Sequence, residues 1–178
     1  MKSIILTILG SPLLLPTTSF SGDPYIDNQE TMCTEWEAIY ISCSFSTNTE
    51  SKIKVASICA KDNKTPNSGY VQYRYGIPGK KLELQFPKNI QKPKEIFKIY
   101  KSETIDGITQ ALRFSTGNNI YSFENRGLSS YRLVVRDNEK EVFNKPCEEP
   151  GKTYLVDYAF DGIPAINLGN KEISETEK

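Results

Sequence analysis

The chain has 178 residues, with 22 basic and 22 acidic side chains, so no global field favours nucleic acid or an anionic membrane as a partner. It contains no histidine, which removes the commonest general base, the Ser-His and Cys-His nucleophile pairs and most zinc sites. The sequence also lacks a glycine-rich phosphate loop and a G-x-S-x-G elbow. These absences argue against an enzyme, and we expect no cofactor and no metal ion.

The first 21 residues have the pattern of a secretory signal peptide. Lys2 precedes an apolar run over residues 4–15, and Ser19 and Ser21 fit the small-residue positions before a cleavage site. The run is shorter than the roughly 20 residues that a membrane-spanning helix needs. We therefore predict a periplasmic or extracellular protein without a transmembrane anchor. The predicted divisions are a signal peptide at 1–21, a single β domain at 22–168 and a disordered tail at 169–178.

The cysteines are even in number, which in an exported chain indicates two disulfides. They are Cys33, Cys43, Cys59 and Cys147. Neither a C-x-x-C pair nor a histidine accompanies them, so their spacing is unlike that of a metal site.

The first predicted hairpin bears on how the cysteines pair. It joins residues 37–45 to 52–60, which places Cys43 near Val55 and leaves Cys59 about four residues further along. At ~3.3 Å per residue, that offset exceeds the Cα separation of a disulfide. A β-bulge or the curvature of a barrel would instead bring Cys43 to Cys59 and leave Cys33 for Cys147. The geometry without a bulge favours pairing Cys33 with Cys59 and Cys43 with Cys147.

The most strongly patterned stretch is 68–86, which predicts a second hairpin. Apolar and polar residues alternate on both sides of Pro78-Gly79, a pair that suits the centre of a type II turn. A loop of 77–80 places all the apolar residues on one face. The predicted opposite pairs are Tyr75 with Leu82, Tyr73 with Leu84, Val71 with Phe86, Arg74 with Glu83, and Gln72 with Gln85.

The remaining chain keeps the rhythm of short strands. An edge strand is expected at 96–100, followed by a hairpin of 110–115 with 120–124 and another of 131–136 with 141–145. The predicted opposite pairs are Phe114 with Tyr121, Leu112 with Phe123, Val134 with Phe143, and Arg136 with Glu141.

After Cys147 an aromatic-rich segment lacks clean periodicity and predicts a short helix or an irregular strap across the domain. The whole pattern indicates an all-β fold, an antiparallel β-barrel or sandwich of about eight short strands built from hairpins and stapled by disulfides.

Several of these segments carry a resemblance. They are the C-x9-C spacing, S-I-C-A at 57–60, S-G-Y-V-Q-Y-R-Y-G at 68–76 and L-E-L-Q-F-P at 82–87. In this order they resemble a family of exported proteins from Gram-negative bacteria to which no activity is assigned. The resemblance covers roughly residues 33–147 and implies export.

A looser resemblance concerns architecture. A small disulfide-bonded β-barrel is similar to the periplasmic lysozyme inhibitors of the membrane-bound C-type class. Those carry a serine- and glycine-rich loop that enters the lysozyme cleft. The nearest counterpart in this chain is the loop at 102–108, whose sequence S-E-T-I-D-G-I differs from that pattern.

Three functions follow as hypotheses. The first is a non-catalytic binding protein of the cell envelope, with an unknown protein or a cell-wall glycan as its partner, because aromatic and arginine side chains are common anchors of binding surfaces. Its candidate binding residues lie on the polar side of the second hairpin and are Tyr70, Gln72, Arg74, Glu83 and Gln85. The structural alternative is that Arg74 and Glu83 pair on a solvated sheet face.

The second hypothesis is a lysozyme inhibitor acting through Ser102, Glu103 and Asp106, although Asp106-Gly107 is also explained as a turn. The third is a glycan hydrolase, because paired carboxylates cleave glycosidic bonds without histidine. Candidate carboxylates are Glu83, Glu103, Asp106 and Glu124, and no spacing singles out a pair.

Overall fold

The computed structural model describes residues 30–46, 53–104, 107–125, 131–148 and 154–171. In these ranges the chain forms ten β-strands, one 3-10 turn at Pro93–Glu95 and one short helix, α1, at Ala159–Gly162. The strands are β1 (Ala38–Ser46), β2 (Ile53–Lys61), β3 (Tyr70–Gly76), β4 (Leu84–Phe86), β5 (Lys98–Thr104), β6 (Gly107–Thr116), β7 (Asn119–Asn125), β8 (Arg132–Asp137), β9 (Lys140–Pro146) and β10 (Ala165–Asn167). The all-β prediction is confirmed.

The strands form two sheets. The first has the order β1-β2-β3-β4, and the second has the order β10-β5-β6-β7-β8-β9. All pairings are antiparallel except that of β10 with β5. Within the described ranges the strands do not close into a barrel. A strand does form near the predicted range 96–100, as β5, but the prediction that it lies at the edge of a sheet is wrong, because β5 lies between β10 and β6.

The register predicted for β3 and β4 is wrong by two residues. Tyr75 lies opposite Leu84, and Arg74 lies opposite Gln85 instead of Glu83. The connection is longer than four residues, because a turn closed by the Lys80 amide on the Ile77 carbonyl is followed by three more residues before β4 begins. A shift of two keeps every side chain on its predicted face, since the side-chain period of a strand is two.

The two later hairpins follow their predictions more closely. Phe114 lies opposite Tyr121, and Leu112 lies opposite Phe123, as expected. In the last hairpin Arg136 lies opposite Glu141 as expected. The predicted pairing of Val134 with Phe143 is wrong, because a bulge between Val135 and Arg136 moves Phe143 opposite Val135.

The core fills the space between the sheets with aromatic rings. Phe114 lies at its centre, with ring centroids at 4.9 Å from Tyr121, 5.0 Å from Tyr73, and 5.3 Å from both Phe86 and Phe97. Each such ring buries a large apolar area and adds the preference of aromatic pairs for defined geometry. The two sheets are therefore held by packing contributed from both.

Both disulfides have the favoured pairing. Cys33 joins Cys59 with a Cα separation of 5.3 Å, and Cys43 joins Cys147 with a separation of 4.6 Å. The first ties the segment before β1 to β2, and the second ties β1 to the end of β9. At this point the sheets meet, since Glu148 also pairs with Ser44.

The predicted C-terminal strap runs from one sheet to the other. The Val156 amide donates to the carbonyl of Tyr40 in β1 at 3.1 Å, α1 follows, and β10 then pairs with β5. Residues 169–171, the start of the predicted tail, contact β5, because the Glu103 amide donates to the Gly169 carbonyl at 2.9 Å. The predicted signal peptide and residues 172–178 lie outside the described residues. In the part of the chain that the structure describes, no helix has the length and apolarity to cross a membrane.

Candidate functional site

The polar face of β3, predicted as a binding surface, is covered by the segment that precedes β1. Residues 30–37, called the N-terminal segment below, cross the outer face of the first sheet. They are fixed there by the Cys33–Cys59 disulfide. Gln72 is buried beneath them, and its side-chain oxygen accepts two hydrogen bonds from the guanidinium of Arg74.

Glu37 is the centre of this contact. Its carboxylate accepts hydrogen bonds from Arg74 Nη1 at 2.6 Å, from Arg74 Nη2 at 2.7 Å, and from the Tyr70 hydroxyl at 2.7 Å. The Thr34 amide donates to the same carboxylate at 2.7 Å, which closes a turn around residues 35 and 36. Burial alone would raise the pKa of Glu37, but the bonds from Arg74, Thr34 and Tyr70 outweigh it and hold the pKa below its usual value.

A row of hydroxyl groups completes the contact. Ser57 Oγ lies 2.7 Å from Ser42 Oγ and accepts from the Met32 amide at 3.0 Å. Ser42 in turn donates to the carbonyl of Glu30 at 2.8 Å. The N-terminal segment thus replaces solvent over the middle of the sheet.

The other predicted residues of the hairpin face solvent. Glu83 accepts from Lys54 Nζ at 2.7 Å, and Gln85 donates to the carbonyl of Lys88 at 3.2 Å. Such exposed pairs contribute little to stability. Of the five residues predicted on this hairpin, the structure gathers Tyr70, Gln72 and Arg74 around Glu37 and leaves Glu83 and Gln85 apart.

The loop predicted to act in lysozyme inhibition is only partly described. Ser102 is fully buried, and its hydroxyl donates to the Lys171 carbonyl at 2.5 Å. The Glu103 side chain is exposed, and Asp106 lies outside the described residues. The structure therefore places Ser102 in a contact with residues 169–171, away from solvent.

Among the described residues, the most exposed aromatic side chains belong to two segments, 34–38 and 154–163, that meet at the start of β1. Trp36, the single tryptophan, is 75% exposed, Tyr154 is 59% exposed and Tyr158 is 47% exposed. Trp36 occupies the turn that leads into β1, and the Tyr158 hydroxyl lies 3.4 Å from the carbonyl of Ile39 in β1. Tyr154 lies in the same segment, four residues before Tyr158. We call these three residues the aromatic pole.

The aromatic pole rests on rigid supports. Trp36 is held by the turn that Glu37 closes, as described above. Tyr158 packs edge-on against the buried ring of Tyr40, with centroids 5.5 Å apart. The Tyr40 hydroxyl donates to Asn63 Oδ1 at 2.8 Å. Trp36 and Tyr158 are therefore presented by backbone that is anchored to the first sheet.

Asn63 joins three parts of the chain beneath this pole. Its amide nitrogen is 2.9 Å from the carbonyls of Thr65 and Gly162 and 3.0 Å from that of Ser68. Gly162 lies so close that a Cβ there would overlap the Asn63 side chain. This asparagine fixes α1 to the loop between β2 and β3, and it thereby positions Tyr158.

Two of the four candidate carboxylates, Glu83 and Glu124, are ion-paired in the described part of the chain. Glu124 is buried on the outer face of the second sheet, 3.1 Å from Arg136 Nη1 and 3.6 Å from Arg113 Nη2. Arg113 also lies 5.2 Å from the ring centroid of Tyr100. The two guanidinium groups compensate the charge of this buried carboxylate. Among the described residues, no three acidic or cysteine side chains converge closely enough to hold a metal ion.

Two shallow cavities lie elsewhere. One, of about 640 Å³, is lined by turn residues of the β6–β7 and β8–β9 hairpins, among them Asn118 and Glu139. The other, of about 480 Å³, is lined by Asn67, Gln91, Lys92 and residues 94–96. Neither includes a predicted site residue.

No protein-family model, curated protein or solved structure matches this chain. The two resemblances noted from the sequence stay predictions. The aromatic pole was missed because it belongs to no periodic element. The available signal was a lone tryptophan between two acids, T-E-W-E, and the repeated acid-aromatic pattern of V-D-Y-A-F-D at 156–161.

Proposed function

We propose that this chain is an exported, non-catalytic protein of the cell envelope that acts by binding a macromolecular partner through the aromatic pole. The observation that carries the proposal is Trp36, a large apolar ring exposed to 75% on a turn that a buried ion pair holds rigid. Folding alone gains nothing from this exposure. Tryptophan and tyrosine are the side chains most enriched at the energetic centres of interfaces.

The rigidity of the pole supports the same conclusion. A binding surface that is already ordered loses less conformational entropy when it associates. Both Trp36 and Tyr158 are anchored by contacts to β1 and its neighbours. Two disulfides and the pattern of the first 21 residues support export, because disulfides persist in oxidising compartments.

The alternative hypotheses have less support. Lysozyme inhibition through the 102–108 loop needs an accessible Ser102, whereas this serine is buried against residues 169–171. Hydrolysis needs two carboxylates across a cleft, whereas Glu83 pairs with Lys54 and Glu124 with two arginines.

The single tryptophan makes the proposal directly measurable. Fluorescence of Trp36 should shift to shorter wavelength and become less accessible to acrylamide when the oxidised protein is mixed with fractions of a bacterial envelope extract. A Tyr154→Ser variant keeps the fluorophore and should weaken this protection. The matched control is Val142→Ser on β9, which alters a residue of similar exposure, 55%, outside the pole. Unchanged accessibility of Trp36 in every fraction would overturn the proposal.

A further inference from the structure

The two segments that form the aromatic pole carry an excess of negative charge. Residues 34–38 and 154–163 contain four carboxylates and no lysine or arginine. They are Glu35, Glu37, Asp157 and Asp161. Glu37 is neutralised by Arg74, as described above. The other three are exposed, and none forms an ion pair with another described residue.

The position of Asp161 connects this charge with the rings. Asp161 lies one turn after Tyr158, whose carbonyl accepts from the Asp161 amide at 3.3 Å, and Tyr158 packs on Tyr40. Glu35 is the immediate neighbour of Trp36, and Asp157 that of Tyr158. Trp36 and Tyr158 are thus each adjacent in sequence to a carboxylate.

This charge is local. The chain as a whole is balanced, with 22 residues of each sign. The nearby cations lie outside the two segments: Lys61 and Lys64 are in the loop below α1, beside Asp62, and Lys101 Nζ of β5 lies 3.8 Å from the ring centroid of Phe160. The acidic excess therefore belongs to the two segments themselves. A local field of one sign selects the sign of a partner and speeds its approach.

Aromatic faces and carboxylates favour the same kind of ligand group. The face of an aromatic ring attracts a guanidinium or an ammonium ion, and tryptophan does so best. A neighbouring carboxylate adds charge-assisted hydrogen bonds to the same group. The carboxylates would repel phosphate or sulfate groups. A neutral glycan would gain no ionic interaction with them.

We propose that the partner is a cationic polypeptide that presents arginine or lysine side chains to the aromatic pole. This inference rests on the proposed function, since it identifies what binds at that surface.

The first test uses a hexa-arginine peptide as the probe and Trp36 fluorescence as the readout. We expect saturable binding that weakens about tenfold or more between 0.01 and 0.5 M salt, because the Debye length falls from about 30 Å to a few ångströms. A hexa-glutamate peptide should leave the fluorescence unchanged. An oligosaccharide of N-acetylglucosamine is the neutral probe and should also have no effect.

Two sets of substitutions separate the charges from the rest of the surface. The variant Glu35→Gln, Asp157→Asn, Asp161→Asn keeps the rings and the shape and should bind hexa-arginine at least about fivefold more weakly. The matched control, Glu95→Gln, Asp137→Asn and Glu139→Gln, removes three exposed acids outside the pole and should bind as the unaltered protein does.

The outcomes distinguish this inference from the proposed function. Absence of hexa-arginine binding, equal binding by the charge variant, or binding of the oligosaccharide in its place would overturn the cationic partner. If envelope fractions still protect Trp36 in that case, the binding function stands and the partner is of another class. If no fraction protects Trp36, both proposals fail.

Discussion

Replacing Asn63 with alanine should lower the free energy of unfolding by about 3 kcal/mol. The substitution removes hydrogen bonds to the carbonyls of Thr65, Ser68 and Gly162, and one from the Tyr40 hydroxyl. The carbonyls of Thr65 and Ser68 lie near solvent, so water replaces part of that loss. The Gly162 carbonyl is buried and would remain unsatisfied, which costs about 1–3 kcal/mol, and the lost bond from Tyr40 adds about 1 kcal/mol.

Urea denaturation followed by circular dichroism measures this loss. With a slope of about 1–3 kcal/mol/M, the midpoint should fall by about 1–3 M while the slope stays the same. Tyr40→Phe removes only the hydroxyl bond and should cost about 1 kcal/mol. Asn67→Ala, an exposed asparagine of the same loop, is the matched control and should cost less than about 0.5 kcal/mol.

The relative order of these variants decides the argument. An Asn63→Ala midpoint equal to that of Asn67→Ala would show that the carbonyls are satisfied without the side chain. An Asn63→Ala loss no greater than that of Tyr40→Phe would show that only the tyrosine bond matters. Either result would refute the role of Asn63 in fixing α1.

Three further outcomes are expected from the same assay. Gly162→Ala should cost about 2–3 kcal/mol, because its Cβ would overlap Asn63 and part of that overlap is with backbone; a neutral effect would contradict the close approach. Glu37→Gln should cost about 2–3 kcal/mol at pH 7, because it leaves the Arg74 guanidinium half-paired and buried. The pKa of Glu37 is lower in the folded than in the unfolded protein, so its stabilisation is present above the unfolded pKa and is lost as pH falls through the folded pKa. The stability difference between Glu37→Gln and the unaltered protein should therefore shrink when the assay is repeated near pH 3. A difference that does not change with pH would contradict the role of the ion pair. Phe114→Ala should cost about 3–5 kcal/mol, because it leaves a cavity among four aromatic rings. A loss below about 1 kcal/mol would contradict the central position of Phe114 in the core.

Local turn chemistry made much of the fold predictable. The T-G-N-N turn between β6 and β7 contains Gly117 with φ of +60°, and its length allows only one register for the flanking alternation. Cysteine pairing was predictable for a similar reason, since the β1–β2 hairpin separates Cys43 from Cys59 along the strands. Errors arose where a connection had an added irregularity, such as the bulge at Val135 and the longer loop after Gly76.

Other features depend on contacts distant in sequence. β10 has only three residues and pairs in parallel with β5. It is too short to show a periodic pattern, and no hairpin turn precedes it, so the sequence does not predict this strand. Alternation showed that Gln72 and Arg74 share a polar face, but it does not reveal that the N-terminal segment lies across that face. Exposure of Trp36 likewise depends on how its turn is held. The candidate site could therefore not be predicted from sequence patterns, although a single tryptophan and its neighbouring acids are easily seen in the sequence.

The parallel strand at the end of the described chain governs the order in which the molecule is completed during synthesis. β5 precedes β10 in the chain, so while the chain emerges during synthesis or export the outer edge of β5 stays open until residues 165–167 follow. The Cys43–Cys147 bond, which spans 104 residues, also waits for a late segment. An unpaired edge is a template for pairing with other chains. A chain that stalls before residue 165 would therefore be more prone to aggregate than the finished fold, in which β10 covers the edge of β5. A chaperone that shields β5 would protect the chain during that interval.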